Sequence, residues 1–205
     1  CILLTAEFTA LRLAQFRGNA PDAGLERLRQ TLKGNRQFLL LRTLDLCGAW
    51  LDAQRGKADA DEWFMAPEAD ASFLNPVLPM LRTVQNEVLL TAGAYTKLLA
   101  RKESCEALNE SLHTVLAAIY LHIHLACAEN RLGRAEAARQ ELEAALCLAA
   151  PDGLYLPFAE HAAQLGALLR EAAAGNEELE AALRLTAKKS GCGLSVRELE
   201  IARLA

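Results

Sequence analysis

Apolar positions along this chain recur at helical spacing, and glycines punctuate the pattern at nearly equal intervals. Gly18, Gly56, Gly93 and Gly133 each sit in a short turn between two helical stretches (FRGNAPDAG, QRGKADADE, TAGAYTKLL, RLGRAEAAR), and they are 38, 37 and 40 residues apart. A near-constant period with a turn between paired helices predicts a solenoid of helical hairpins, in which each hairpin buries its apolar face only against the next. The stretch SLHTVLAAIYLHIHLACA, residues 111–128, runs 18 residues without Asp, Glu, Lys or Arg. That length approaches a membrane span. Three histidines in it (His113, His122, His124) are costly in hydrocarbon, whereas a helix sandwiched between neighbours in a soluble array is apolar nearly all round. The prediction is a buried central helix and no membrane association.

The fourth unit carries the most detail. Counted outward from Gly133, the first helix has Leu125 and Ala126 and the second has Ala138, Leu142 and Ala145. Closely packed helices need alanine where backbones cross and leucine where a groove must be filled. These positions resemble those of tetratricopeptide repeats, although the period here exceeds the about 34 residues of the ideal repeat. In the first unit Ala23 holds the small position; Asp61 and Leu98 stand there in the second and third. Composition agrees: Ala and Leu dominate, Gly and Pro are sparse and only 5% of residues are aromatic, a mixture that favours helix over sheet. The expected fold is all-α, a tetratricopeptide-like α-α superhelix.

Prolines mark the interruptions. Pro67, Pro76 and Pro79 preclude one continuous helix over residues 61–80 and predict a restart near Asn75 or Leu78. After the fourth unit, APDGLYLPFAEHAAQLGALLR predicts a turn at Pro151 to Gly153, then a helix with Pro157 at its first position that runs to about Glu171. A last helix over residues 177–187 is followed by KKSGCG, a linker in composition. The array therefore covers residues 1–187 and the linker 188–193.

Residues 194–205 begin something else. Ser195 and Glu198 form a Ser-x-x-Glu capping box ahead of the apolar run Leu199, Ile201, Leu204. Leu194, Ser195, Arg197, Glu198, Glu200 and Ile201 match the L-[ST]-x-R-E-x-E-[IV] opening of the helix-turn-helix domain in LuxR-family regulators, with Val196 in place of a frequent proline. Array, linker and motif in this order resemble the large MalT-type branch of that bacterial family. The resemblance implies a sensor array between an ATP-binding switch domain and a DNA-binding domain. No G-x-x-x-x-G-K-[ST] loop occurs in the chain, so ATP is expected only in a domain N-terminal to it. The recognition helix likewise lies beyond the motif, so DNA contact is expected only through a C-terminal domain. A cytoplasmic location and possible self-association accompany this reading.

Charge and cysteines fit that picture. A net charge of −4 lacks the clustered Lys and Arg that neutralise phosphates. The six cysteines never approach C-x-x-C spacing, and most sit among apolar neighbours, as small core residues in a reducing compartment do. No nucleophile–base pair is legible, so no catalytic residue is assigned. His122 and His124 are two apart and point to different sides of a helix. His124 and Cys127 share a face but lack a third ligand, so no metal is expected. Glu141 and Glu143 read as solvated carboxylates steadied by arginines such as Arg139.

In tetratricopeptide-like arrays the first helix of each pair lines the concave surface. The matching positions here include Phe8, Arg12, Trp50, Gln54, Thr83, Glu87, Tyr120, Asn130 and Arg131. Trp50 and Tyr120 offer stacking faces, and Gln54, Thr83, Glu87, Asn130 and Arg131 offer polar groups, the mixture a concave ligand site needs. Trp50 and Tyr120 serve equally well as filling between hairpins. The expected function is effector sensing, with a small-molecule inducer or a regulatory protein on the concave face. The alternative is a tetratricopeptide-type scaffold that clamps a peptide terminus, for which Arg12, Asn130 and Arg131 are the available groups.

Overall fold

The computed structural model describes residues 2–16, 18–58 and 62–190. Asp61, the end of the linker and the motif of residues 194–205 lie outside the described residues. Within them every regular element is a helix. Helix α1 (Ile2–Phe16) pairs with α2 (Asp22–Gly34). The first arm of the second unit is α3 (Phe38–Ala53), and its second arm is a short helix α4 (Glu62–Met65) with 3₁₀ turns at Pro67–Ser72 and Asn75–Val77. Helix α5 (Leu78–Thr91) pairs with α6 (Tyr95–Leu99) and α7 (Lys102–Ser111), and α8 (Val115–Arg131) pairs with α9 (Ala135–Ala149). A 3₁₀ turn (Ala150–Asp152) then leads to α10 (Leu156–Glu160), α11 (Ala162–Leu165), α12 (Ala167–Ala173) and α13 (Glu177–Ser190).

First arms pack in chain order: α1 on α3, α3 on α5, α5 on α8, and α8 on α10 and α11. The fold is thus an all-α array of helical hairpins. The charge-free stretch crosses the turn after α7 and supplies most of α8, where Ile119, Ile123, Leu125, Ala126, Cys127 and Ala128 are fully buried. Among the described residues no helix is long and apolar enough to cross a membrane. Each turn closes as its glycine requires. Gly133 stands at φ +76°, and the amides of Gly133 and Arg134 bond the carbonyls of Asn130 and Glu129, which ends α8 within one turn. Alanines 138 and 145, with Leu142, fit against α8 with at most 1% exposure.

Three details differ from the sequence reading. Ala23 is exposed; the tight spot is Gly24, where an added Cβ would lie 2.3 Å from a Leu11 methyl. More residues separate Gly18 from the start of α2 than Gly133 from the start of α9, so α2 starts later relative to its glycine. The expected continuous helix to Glu171 is broken into α10, α11 and α12. Gly166 adopts φ +57° and ψ −120°, a conformation for which only glycine is suited. At His161 the ring Nδ1 lies 2.8 Å from the Pro157 carbonyl, the acceptor that a helix would give to its own backbone amide. The last helix also continues three residues past Ala187, to Ser190, into what composition marks as linker. The restart after the proline segment falls at Leu78, as the prolines predict.

Glu141 is not a solvated carboxylate. Its side chain is 14% exposed and accepts from Lys102 Nζ of α7 at 2.6 Å, with His122 Nδ1 of α8 at 2.7 Å, while Arg139 pairs with Glu136. Burial raises the Glu141 pKa, but the hydrogen bonds from His122 and Lys102 outweigh it and hold the carboxyl below its usual value. A depressed carboxylate adds stability above its unfolded pKa of about 4.3 and loses it as pH falls through the folded value. Glu141→Gln should therefore cost on the order of 1 kcal/mol near pH 6. The gap from wild type should close well below pH 4, as read by urea unfolding at both pH values. In the same hairpin, Leu142→Ala should destabilise by about 2–5 kcal/mol, because its cavity cannot collapse against α8. Leu132→Ala, at a residue 36% exposed, should cost under about 1 kcal/mol in the same assay.

Candidate functional site

The concave side of the array is filled by its own side chains. Each first arm contributes: Arg12 from α1, Trp50 from α3, Glu87 from α5, Tyr120 and His124 from α8, and Glu160 and His161 from the α10 end. Trp50 and Tyr120 meet edge to face, with ring centroids 5.1 Å apart and planes at 82°, and are 4% and 5% exposed. Both rings are thus buried against each other and against the neighbouring side chains. The Arg12 guanidinium carbon lies 5.8 Å from the Trp50 ring and 5.7 Å from that of Phe8, within cation–π range.

Two polar clusters flank these rings. In the first, Arg12 donates to Glu160 Oε1 through Nε (3.1 Å) and Nη2, and its Nη2 also donates to the Tyr120 oxygen at 2.8 Å. The Tyr120 hydroxyl in turn donates to Glu160 Oε2. Every oxygen of the Glu160 carboxylate is satisfied. Burial alone would lower the Arg12 pKa, but Tyr120 and Glu160 more than reverse it, so the guanidinium stays charged; burial raises that of Tyr120, so the phenol stays protonated. The pair joins residues 148 apart in sequence and so ties the first hairpin to the last.

In the second cluster, Glu87 has no exposed surface. Its Oε1 accepts from Gln54 Nε2 at 2.9 Å, and its Oε2 lies 2.8 Å from Nε2 of His161 and 2.8 Å from Nε2 of His124. Burial would raise the Glu87 pKa, but His161 and His124 outweigh it and keep the carboxyl ionised. For His161, burial lowers the pKa and Glu87 raises it further, so the ring is held above its usual value. Burial dominates at His124 and lowers its pKa, which leaves that ring neutral. Its Nε2 is out of line for a hydrogen bond to Oε2, and its Nδ1 faces no partner. Glu87, His124 and His161 form a compact group of potential metal ligands, with donor atoms within 4.8 Å of one another.

Of the residues expected on the concave face, Trp50, Gln54, Glu87, Tyr120, Phe8 and Arg12 converge. Thr83 does not join them; its Oγ1 donates back to the Pro79 carbonyl. Asn130 donates to the Gln164 carbonyl at 3.4 Å, and Arg131 is exposed at the end of α8. Sequence reasoning missed His161 and Glu160, and weighed His124 as a ligand only with His122 and Cys127. A His–Glu pair at the end of LYLPFAEH, opposite an acidic residue on another first arm, was the available signal. A separate cleft of about 340 Å³ opens between α7, α8 and α9, lined by the apolar Leu121 and Leu148 and by the polar Asn109, His113, Thr114 and His122.

No protein-family model matches the chain, and no curated protein or solved structure shows significant similarity to it.

The clasp has an energetic consequence. Arg12→Met leaves Glu160, whose side chain is 2% exposed, without its counter-charge, and a buried pair broken on one side costs about 3–5 kcal/mol. Arg12→Met combined with Glu160→Leu should cost about 2 kcal/mol less than the two single changes added together, as measured by urea unfolding of all four proteins. Simple additivity would show that the two ends of the array are not coupled through this pair.

Proposed function

We propose that this chain is the sensor array of a LuxR/MalT-like transcription regulator, in which an inducer or regulatory protein changes the curl of the hairpins and so the state of a DNA-binding domain. The observation that carries the reading is an all-α hairpin array followed by Leu194, Ser195, Arg197, Glu198, Glu200 and Ile201. The Arg12–Glu160 clasp supports it, since one buried contact between the first and last hairpins gives the array a closed state that a signal can oppose. A ligand acts on such an equilibrium only through a difference in affinity for the closed and opened forms.

The terminal-carboxylate clamp loses support. Arg12 is committed to Glu160 and Tyr120, and Asn130 to a backbone carbonyl. The cleft bounded by α7, α8 and α9 has the size of a small-molecule site and a mixed lining. An inducer therefore either enters there or displaces part of the concave filling.

The test combines sequence and titration. The reading frame that contains this chain should continue through a recognition helix, and calorimetric titration with sugars, nucleotides and amino acids should find a ligand that binds one site. Arg12→Met should change the affinity of that ligand by about 5–150-fold, the span of ordinary allosteric coupling. A reading frame without a recognition helix, or a ligand indifferent to the clasp, would overturn the reading.

A further inference from the structure

We propose that Glu87 Oε2, His124 Nε2 and His161 Nε2 form a binding site for one divalent transition-metal ion, zinc being the expected occupant, which links α5 and α8 to the junction of α10 and α11. The proposal is independent of the regulatory reading. It starts from proton accounting. The Pro157 carbonyl can only accept, so Nδ1 of His161 carries a proton. Nε2, 2.8 Å from the carboxylate oxygen, therefore faces it either with a second proton, as an imidazolium, or with a lone pair. Two lone pairs at that distance repel unless a cation lies between them. A proton on Nε2 satisfies His161, but it does nothing for His124.

His124 is the second and separate observation. The ring is fully buried, its Nε2 is 2.8 Å from the same carboxylate oxygen, and neither ring nitrogen has an aligned hydrogen-bond partner. A buried polar group left this way costs free energy that a folded protein ordinarily avoids. A buried ring nitrogen this near a carboxylate yet without a hydrogen bond to it is open to a third body that both atoms bind. Zinc holds nitrogen and oxygen ligands at about 2.0–2.2 Å, and in tetrahedral geometry that sets neighbouring donors a little over 3 Å apart. The two nitrogen–oxygen separations of 2.8 Å would widen slightly on binding, and the two imidazole nitrogens, within 4.8 Å of one another, would be set at the same spacing by side-chain rotation.

The surrounding contacts are those of a metal site. His161 Nδ1 donates to a backbone carbonyl, which fixes the tautomer that leaves Nε2 free, and Gln54 holds the other carboxylate oxygen of Glu87. Trp50 lies 6.4 Å from both imidazole rings and closes the apolar side. Two imidazoles with one carboxylate favour a borderline ion of the first transition row over calcium or magnesium, which prefer oxygen.

The test uses the whole chain, stripped with chelator and then titrated with ZnCl2 and CoCl2. One equivalent should bind, Co2+ should give visible d–d bands without a thiolate charge-transfer band, and X-ray absorption of the zinc form should show two imidazole ligands. Gln54→Ala, at a half-buried position and checked for helical content, should weaken zinc about 10–100-fold. His124→Leu and His161→Leu, each checked for helical content, should abolish the Co2+ bands. Less than one-fifth of an equivalent bound by the wild-type chain, thiolate ligation, or X-ray absorption without imidazole would each overturn the proposal without reference to any variant. Bands undiminished in both folded histidine variants would do the same.

Discussion

A carboxylate with no exposed surface is the constraint around which this molecule is arranged. Taking the charge of Glu87 out of water costs several kcal/mol, and only opposite charge and aligned donors at short range offset that cost. Gln54 comes from the preceding first arm, His124 from the following one, and His161 from 74 residues further along. The array must therefore bring its last segment against its middle. Once α10 and α11 are drawn in, Glu160 beside His161 needs its own counter-charge, and Arg12 of the first helix supplies it. The curl of the hairpins and the burial of two ion pairs are one requirement.

Local and global structure agree at that point. The ring of His161 occupies the Pro157 carbonyl through Nδ1, which interrupts the helix at the residue whose Nε2 must face Glu87. A continuous helix would keep that carbonyl for the backbone. The neighbouring residues of α5 show the same economy. Gln85 donates to the Phe64 carbonyl, Asn86 Nδ2 lies 3.7 Å from the Cys105 sulfur, and Glu87 faces the histidines. Three consecutive buried polar side chains thus reach the broken second arm of unit two, helix α7 and the concave centre. Apolar packing alone tolerates small slips of one helix on another; three directional contacts in different directions do not, so α5 has one register.

What could be read from the chain follows the range of the forces involved. The alanines and leucines around Gly133 are legible because a hairpin's packing depends on residues within one repeat, and Leu125, Ala126, Ala138, Leu142 and Ala145 are all buried. Proline interruptions are equally local, and α5 begins where Pro76 and Pro79 allow. The shift from Ala23 to Gly24 arises because the spacing from a glycine to the tight contact depends on loop length, which no single repeat reveals. Trp50, Gln54, Glu87 and Tyr120 were found through the repeat geometry, since a first-arm position predicts the concave side. Glu160 and His161 fall in the segment where the repeat pattern ends. Their roles depend on partners 148 and 74 residues away, and no periodicity points across such a gap.

A concave face filled with ionic contacts behaves differently from an open groove. An open groove admits a ligand at little conformational cost, and binding there has no reason to move the hairpins. In this array, loosening either end removes the counter-charge from a buried group, so intermediate openings are worse than both extremes. The cost of half-opening favours a two-state response over gradual flexing, because Arg12 either sits between Tyr120 and Glu160 or leaves both. For a signal to reverse a closed preference of one hundred to one, it must favour the open form by roughly 10⁴-fold, about 5.5 kcal/mol. That is comparable to the about 3–5 kcal/mol at stake in one buried pair. On the proposed sensor reading, a clasp of this size can hold the array closed and still be released by one ligand or partner.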